Sequence, residues 1–82
     1  MIMTVELSMY PLQQNYLALI TDFIAKLNTY DNLRIVTTPT ATMVVGDYEH
    51  MMKTLTELLR WSHQTHGKAV FIAKFIADYN PD

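Results

Sequence analysis

The chain is expected to form an α+β domain of four strands and two helices in the order strand, helix, strand, strand, helix, strand. Three observations lead there. Four stretches alternate apolar and polar residues or are rich in β-branched ones. Two longer stretches between them carry apolar residues at helical spacing. Prolines, glycines and asparagines stand at the joints.

The first strand is written in Val5, Leu7 and Met9, which alternate with Thr4, Glu6, Ser8 and Tyr10. Pro11 lacks a ladder donor and marks its end. From Gln13 the period changes. Leu17, Ile20, Ile24 and Leu27, reinforced by Tyr16 and Phe23, mark an amphipathic helix with Ala18, Asp22, Ala25 and Lys26 on its flanks and outer face. Asn28, Tyr30, Asp31 and Asn32 form a polar exit. Leu33, Ile35 and Thr37, alternating with Arg34, Val36 and Thr38, give a β-branched second strand. Thr38-Pro39-Thr40 reads as a hairpin turn into a third strand that runs to Val45.

Gly46-Asp47 closes that strand, and Asp47 is a suitable N-cap for the second helix, with Glu49 favourably placed in its first turn. Met51, Leu55, Leu58 and Ser62, flanked by Met52 and Leu59, form its stripe, and Gly67 after His66 terminates it. The last strand covers Ala69 to about Ala77, and Asn80-Pro81-Asp82 is expected to fray. Two β-α-β units interleaved in one antiparallel sheet give the ferredoxin-like arrangement, with both helices on one face. Of the two sets in the last strand, Val70/Ile72/Ile76 and Phe71/Ala73/Phe75, one must lie on the uncovered face, although both are apolar.

A single domain over residues 1–82 accounts for the whole length. Domains of this size bury only roughly 60–65% of their unfolded surface. Half of the residues are hydrophobic and 17% are charged, so apolar surface is in surplus. A homodimer or homotetramer, joined sheet to sheet or edge to edge, would cover it.

Composition also excludes functions. The net charge of −2, with six Lys and Arg residues spread along the chain, offers no basic stripe for nucleic acid or an anionic membrane surface. Without cysteine there is no disulfide, thiolate metal site or thiol nucleophile. Gly46 and Gly67 are the only glycines and form no phosphate loop; Ser8 and Ser62 stand in no nucleophile motif. The N-terminal stretch lacks a basic segment followed by an apolar run, and no apolar run approaches the ~18 residues of a span, so a cytoplasmic location is expected. His63 and His66 lie three apart on the second helix, but with no carboxylate at the following turn they read as solvated helix-end histidines. Met9, Met43, Met51 and Met52 read as core filling. These features predict a protein that binds and associates without catalysing, and no cofactor.

Candidate ligand contacts lie on the strands. If Val5, Leu7 and Met9 face the helices, Glu6 and Ser8 face the open side of the sheet. There Glu6 is either a solvated strand residue or a polar anchor in an apolar pocket. Thr37, Thr38, Thr40 and Thr42 add hydroxyls around the hairpin, where β-propensity alone also accounts for threonine.

The run Val5-Glu6-Leu7-Ser8-Met9-Tyr10-Pro11-Leu12 and the run Thr42-Met43-Val44-Val45-Gly46-Asp47 resemble the two signature segments of the small YkoF-like thiamine-binding proteins. Phe75 to Pro81 resembles the end of such a domain. The resemblance implies a ferredoxin-like fold, sheets paired between domains, and a pocket for thiamine or its hydroxymethylpyrimidine part. It carries over Ser8, Tyr10 and Thr42 as pocket residues, to which the strand-face argument adds Glu6. Position 41 departs from the pattern, with Ala41 where a hydroxyl is expected. The expected function is therefore non-enzymatic binding of thiamine or a related pyrimidine by a homo-oligomer. The alternative is an oligomerisation module without a small ligand.

Overall fold

Alternation along the first strand decides which side of the sheet receives the helices. The computed structural model describes all residues from Met1 to Asp82. Its elements are β1 (Ile2–Pro11), α1 (Tyr16–Leu27), β2 (Arg34–Thr37), β3 (Thr42–Asp47), α2 (Tyr48–His66) and β4 (Ala69–Ala77). The sheet order is β2-β3-β1-β4 with every neighbouring pair antiparallel, which is the ferredoxin-like fold.

Met3, Val5 and Leu7 on β1 point to the helix side and meet Val44, Phe23, Leu27, Met51, Leu55 and Leu58 in one core cluster. Register then places Phe71, Ala73 and Phe75 on the helix side, opposite Met9, Leu7 and Val5. Val70, Ile72 and Ile76, opposite Tyr10, Ser8 and Thr4, take the open face, where Ile72 is 54% exposed.

Helix α1 is rotated from the expected stripe. Leu19, Phe23 and Leu27 are buried, Ile20 and Ile24 are half-buried, and Leu17 is 66% exposed. The cause lies in the sequence, where apolar residues at 16, 17, 19, 20, 23, 24 and 27 permit two overlapping stripes. Contact between the Phe23 and Phe71 rings, with centroids 5.2 Å apart, accompanies the rotation that is adopted.

Helix α2 follows its sequence signals. The Asp47 carboxylate accepts the His50 N–H at 3.1 Å, and Met51, Leu55, Leu58 and Ser62 are buried together with Thr54. Gly67 ends the helix at φ +80°, ψ −151°, a conformation that is essentially glycine's alone. The Gln13 side-chain amide donates to the His66 carbonyl, satisfying one of the acceptors a helix end leaves over. His66 Nε2 also lies 2.6 Å from the Asp22 carboxylate, so α1 holds the end of α2.

The C-terminal residues do not fray. Asp78 turns the chain at φ +56°, the Tyr79 N–H donates to the Ile2 carbonyl, and Thr4 Oγ1 donates to the Tyr79 carbonyl at 2.8 Å. Asp82 then receives a bidentate hydrogen bond from Arg34. Thr4, Val45 and Arg34 form one row across β1, β3 and β2. The tail therefore runs along that row as a strap across one end of the open face. This explains why Thr4 and Val45, on the side without helices, are only 4% and 6% exposed.

Two expectations follow from these contacts. The Ser62 hydroxyl is fully buried and finds no hydrogen-bond partner. Replacing Ser62 with Ala should leave stability unchanged or raise it by up to about 1 kcal/mol, seen as a higher melting temperature. The strap should also be sensitive to acid. The guanidinium of Arg34 holds the Asp82 carboxyl below its usual range, chiefly by hydrogen bonding. Its contribution to docking is thus complete above the ordinary carboxylate pKa of about 4 and is lost as pH falls through the lowered value. The protection factor of the Tyr79 amide, its exchange rate corrected for the intrinsic pH dependence, should fall on acidification in that window. Asp82→Asn should show the reduced protection already at neutral pH.

Candidate functional site

β1 is longer on one side than on the other. It pairs with β4 from Met3 to Pro11, but with β3 only as far as Leu7 opposite Thr42. Beyond Leu7, the edge of β1 that β3 would occupy is open. The β2–β3 connection is a tight Pro39-Thr40 turn, closed by the Thr38 N–H donating to the Ala41 carbonyl at 2.8 Å. The Thr38 hydroxyl, accepting the Ala41 N–H at 3.2 Å, rigidifies it further.

A cavity of about 480 Å³ fills the space between this turn, the free stretch of β1 and the first half of α1. Its walls are Leu7 to Pro11 from β1, Thr38 to Thr42 from the hairpin, and Tyr16, Ile20, Phe23 and Ile24 from α1. The volume lies in the range of small-molecule sites, which combine apolar walls with a few polar groups. Here the walls are aliphatic and aromatic and the polar groups are hydroxyls and backbone amides. No lining side chain is charged.

Three of the four residues singled out in the sequence line this one cavity: Ser8, Tyr10 and Thr42. Ser8 Oγ donates to the Thr40 carbonyl at 3.1 Å and ties the turn to β1. Tyr10 is half exposed. Thr42 is buried, yet its hydroxyl makes no hydrogen bond within the chain. Glu6 does not join them. It stands on the open face opposite Lys74, whose Nζ lies 3.5 Å from Glu6 Oε1, both side chains being largely exposed. Such a pair contributes little to stability. The cavity also differs in place from the expected open-face pocket, because it sits beside the helix and wraps the free edge of β1.

Sequence reasoning missed the contribution of α1. Tyr16 and Ile20 were expected to pack, and their availability follows from the helix rotation that buries Leu19 in place of Leu17. A second, smaller cavity of about 230 Å³, between Met3, Tyr48, Met52, Phe75 and Ala77, has only hydrophobic residues around it. Apart from the Tyr48 phenol it offers no polar side chain to orient a ligand.

No family model and no curated protein sequence matches the chain. Solved structures do. A Streptococcus pneumoniae protein, SP2199, superposes with a TM-score of 0.86 at 27% identity, over 96% of this chain and 89% of that one. The Thermotoga maritima protein TM0486, named for a proposed role in thiamine biosynthesis or salvage, gives 0.83 at 23% identity over 98% and 85%. A DUF77 domain of unknown function from Bacillus cereus gives 0.72 at 11% identity over 98% and 77%. These likenesses support the resemblance to the YkoF-like proteins at the level of fold.

Because the Thr42 hydroxyl has no partner in the chain, Thr42→Val should fold with a melting temperature within a few degrees of the parent. Thermal denaturation followed by circular dichroism checks this. A large loss of stability would mean that the hydroxyl is held by the fold and is not free for a ligand.

Proposed function

We propose that this chain binds thiamine or a related hydroxymethylpyrimidine in the cavity beside α1, without catalysing a reaction, and does so as a homo-oligomer. The observation that carries this reading is the convergence of Ser8, Tyr10 and Thr42 on one uncharged, largely apolar cavity. The fold likeness to TM0486 supports it. An aminopyrimidine is flat, apolar on its faces and polar along one edge, and it matches aromatic walls with a few hydroxyls. A cationic thiazolium can lie against the rings of Tyr10 or Tyr16. A phosphorylated form would find no cation among the lining side chains.

The second reading, an association module without ligand, draws on the open face. Tyr10, Val70 and Ile72 are roughly half exposed and adjacent on β1 and β4, with the equally exposed Ile76 lying beyond the Glu6–Lys74 pair. Patches of that kind mark interaction surfaces. In the present proposal this face serves assembly and the cavity serves binding, so the two are separable.

Thermal shift with added ligand tests the binding. Thiamine or hydroxymethylpyrimidine at a hundred times its dissociation constant should add about 2.7 kcal/mol of stability. Ser8→Ala and Thr42→Val should each reduce the shift while leaving the oligomer intact by light scattering, and thiamine diphosphate should bind more weakly than thiamine. No shift with any of these compounds, from a chain that still associates, would leave the association module as the function.

A further inference from the structure

Antiparallel ladders alternate, so each residue sends its N–H and C=O to one side only. On β1 that alternation is fixed at both ends. The Met1 carbonyl accepts from Tyr48, on the β3 side, and the Ile2 carbonyl accepts from Tyr79, on the β4 side. The Leu12 N–H donates to Lys68, again on the β4 side. Odd-numbered residues of β1 therefore face β3 and even-numbered ones face β4. Leu7 is the last odd-numbered residue that β3 reaches, opposite Thr42. Met9 comes next, and the chain has already turned away into the hairpin at Thr38–Ala41. Its N–H and C=O point into the cavity side of the sheet and have no backbone partner.

Resting on the reading that this cavity holds a small molecule, we infer that the Met9 peptide is its recognition edge. One donor and one acceptor lie side by side on a half-buried strand, in the spacing a missing strand would have used. A planar heterocycle carrying a ring nitrogen next to an exocyclic amine presents the complement: the ring nitrogen accepts from the Met9 N–H, and the amine donates to the Met9 carbonyl. Tyr10 and Tyr16 border the same space and offer ring faces, while Thr42 adds a free hydroxyl. The ligand class is thus a flat heterocycle with adjacent donor and acceptor atoms, bound as a substitute for strand pairing. Specificity then lies in the main chain, where side-chain substitution alone does not reveal it.

The same geometry supplies the test. Met9 opposes Phe71 at a position where β1 gives no hydrogen bond to β4, so Met9→Pro removes the unpaired donor and leaves the ladder intact. Met9→Leu controls for the side chain. By titration calorimetry with 4-amino-5-hydroxymethyl-2-methylpyrimidine, Met9→Pro should bind about three- to tenfold more weakly than the parent, the worth of one hydrogen bond. Met9→Leu should bind within about twofold, and the analogue dimethylated on its exocyclic nitrogen should bind the parent more weakly by a similar factor. If Met9→Pro does not fold, the parent decides by NMR: the Met9 amide resonance should move downfield and its exchange slow on adding the pyrimidine. Binding by the parent with an unmoved Met9 amide, or with equal affinity in Met9→Pro, overturns this inference and leaves the proposed function standing. Failure of the parent to bind any of the compounds overturns both.

Discussion

The structure depends on the unequal pairing of its central strand. β1 is bound to β4 over nine positions and to β3 over six. One continuous ladder anchors the sheet, and the shorter one stops where the hairpin turns. Because Pro39 and the Thr38 side chain make that turn tight, the hairpin cannot extend to cover the remainder of β1. Because Pro11 still pairs with Ala69, β1 cannot curl away either. A rigid strand projecting past its neighbour leaves a space with backbone on one wall, and α1 roofs it with Tyr16, Ile20 and Phe23. The cavity is thus a product of strand lengths, with no unusual residue needed to create it.

Much of the fold was legible because its signals agree across levels. Alternation in Val5, Leu7 and Met9 fixed the helix side of the sheet, and Asp47 and Gly67 marked both ends of α2. The bounds of β4 also follow from sequence pattern, whereas which of its two apolar sets is exposed is decided only by its register against β1. The parts not legible are those set by tertiary register. The rotation of α1 depends on Phe23 meeting Phe71, a contact between residues far apart in the chain. The role of Asp82 depends on Arg34, which the topology brings beneath it.

The candidate site divides along the same line. Ser8, Tyr10 and Thr42 are named by carry-over from the resemblance of the runs ending at Leu12 and Asp47 to the YkoF-like proteins, and they do share a cavity. Glu6 was grouped with Ser8 because two residues apart on a strand means the same face, and so it is. Yet the hairpin meets Ser8, through Thr40, and Glu6 meets Lys74 one row further along. A face is a sequence property; a place along the face is set by where the neighbouring strand ends. Leu17, expected to pack, is left in solvent for a related reason, since a helix with two overlapping stripes needs its partner to choose between them.

The C-terminal strap has a consequence for anything that settles on the uncovered side of the sheet. A flat apolar surface ordinarily lets a visitor slide along the strands and rest in several registers. With Tyr79 to Asp82 lying over the row of Thr4, Val45 and Arg34, one end is raised like a kerb. The level ground that remains, around Ser8, Tyr10, Val70 and Ile72, lies at the far end, next to the cavity. A second molecule halted by the kerb would come to rest there, beside the mouth of the pocket and not over the centre of the sheet.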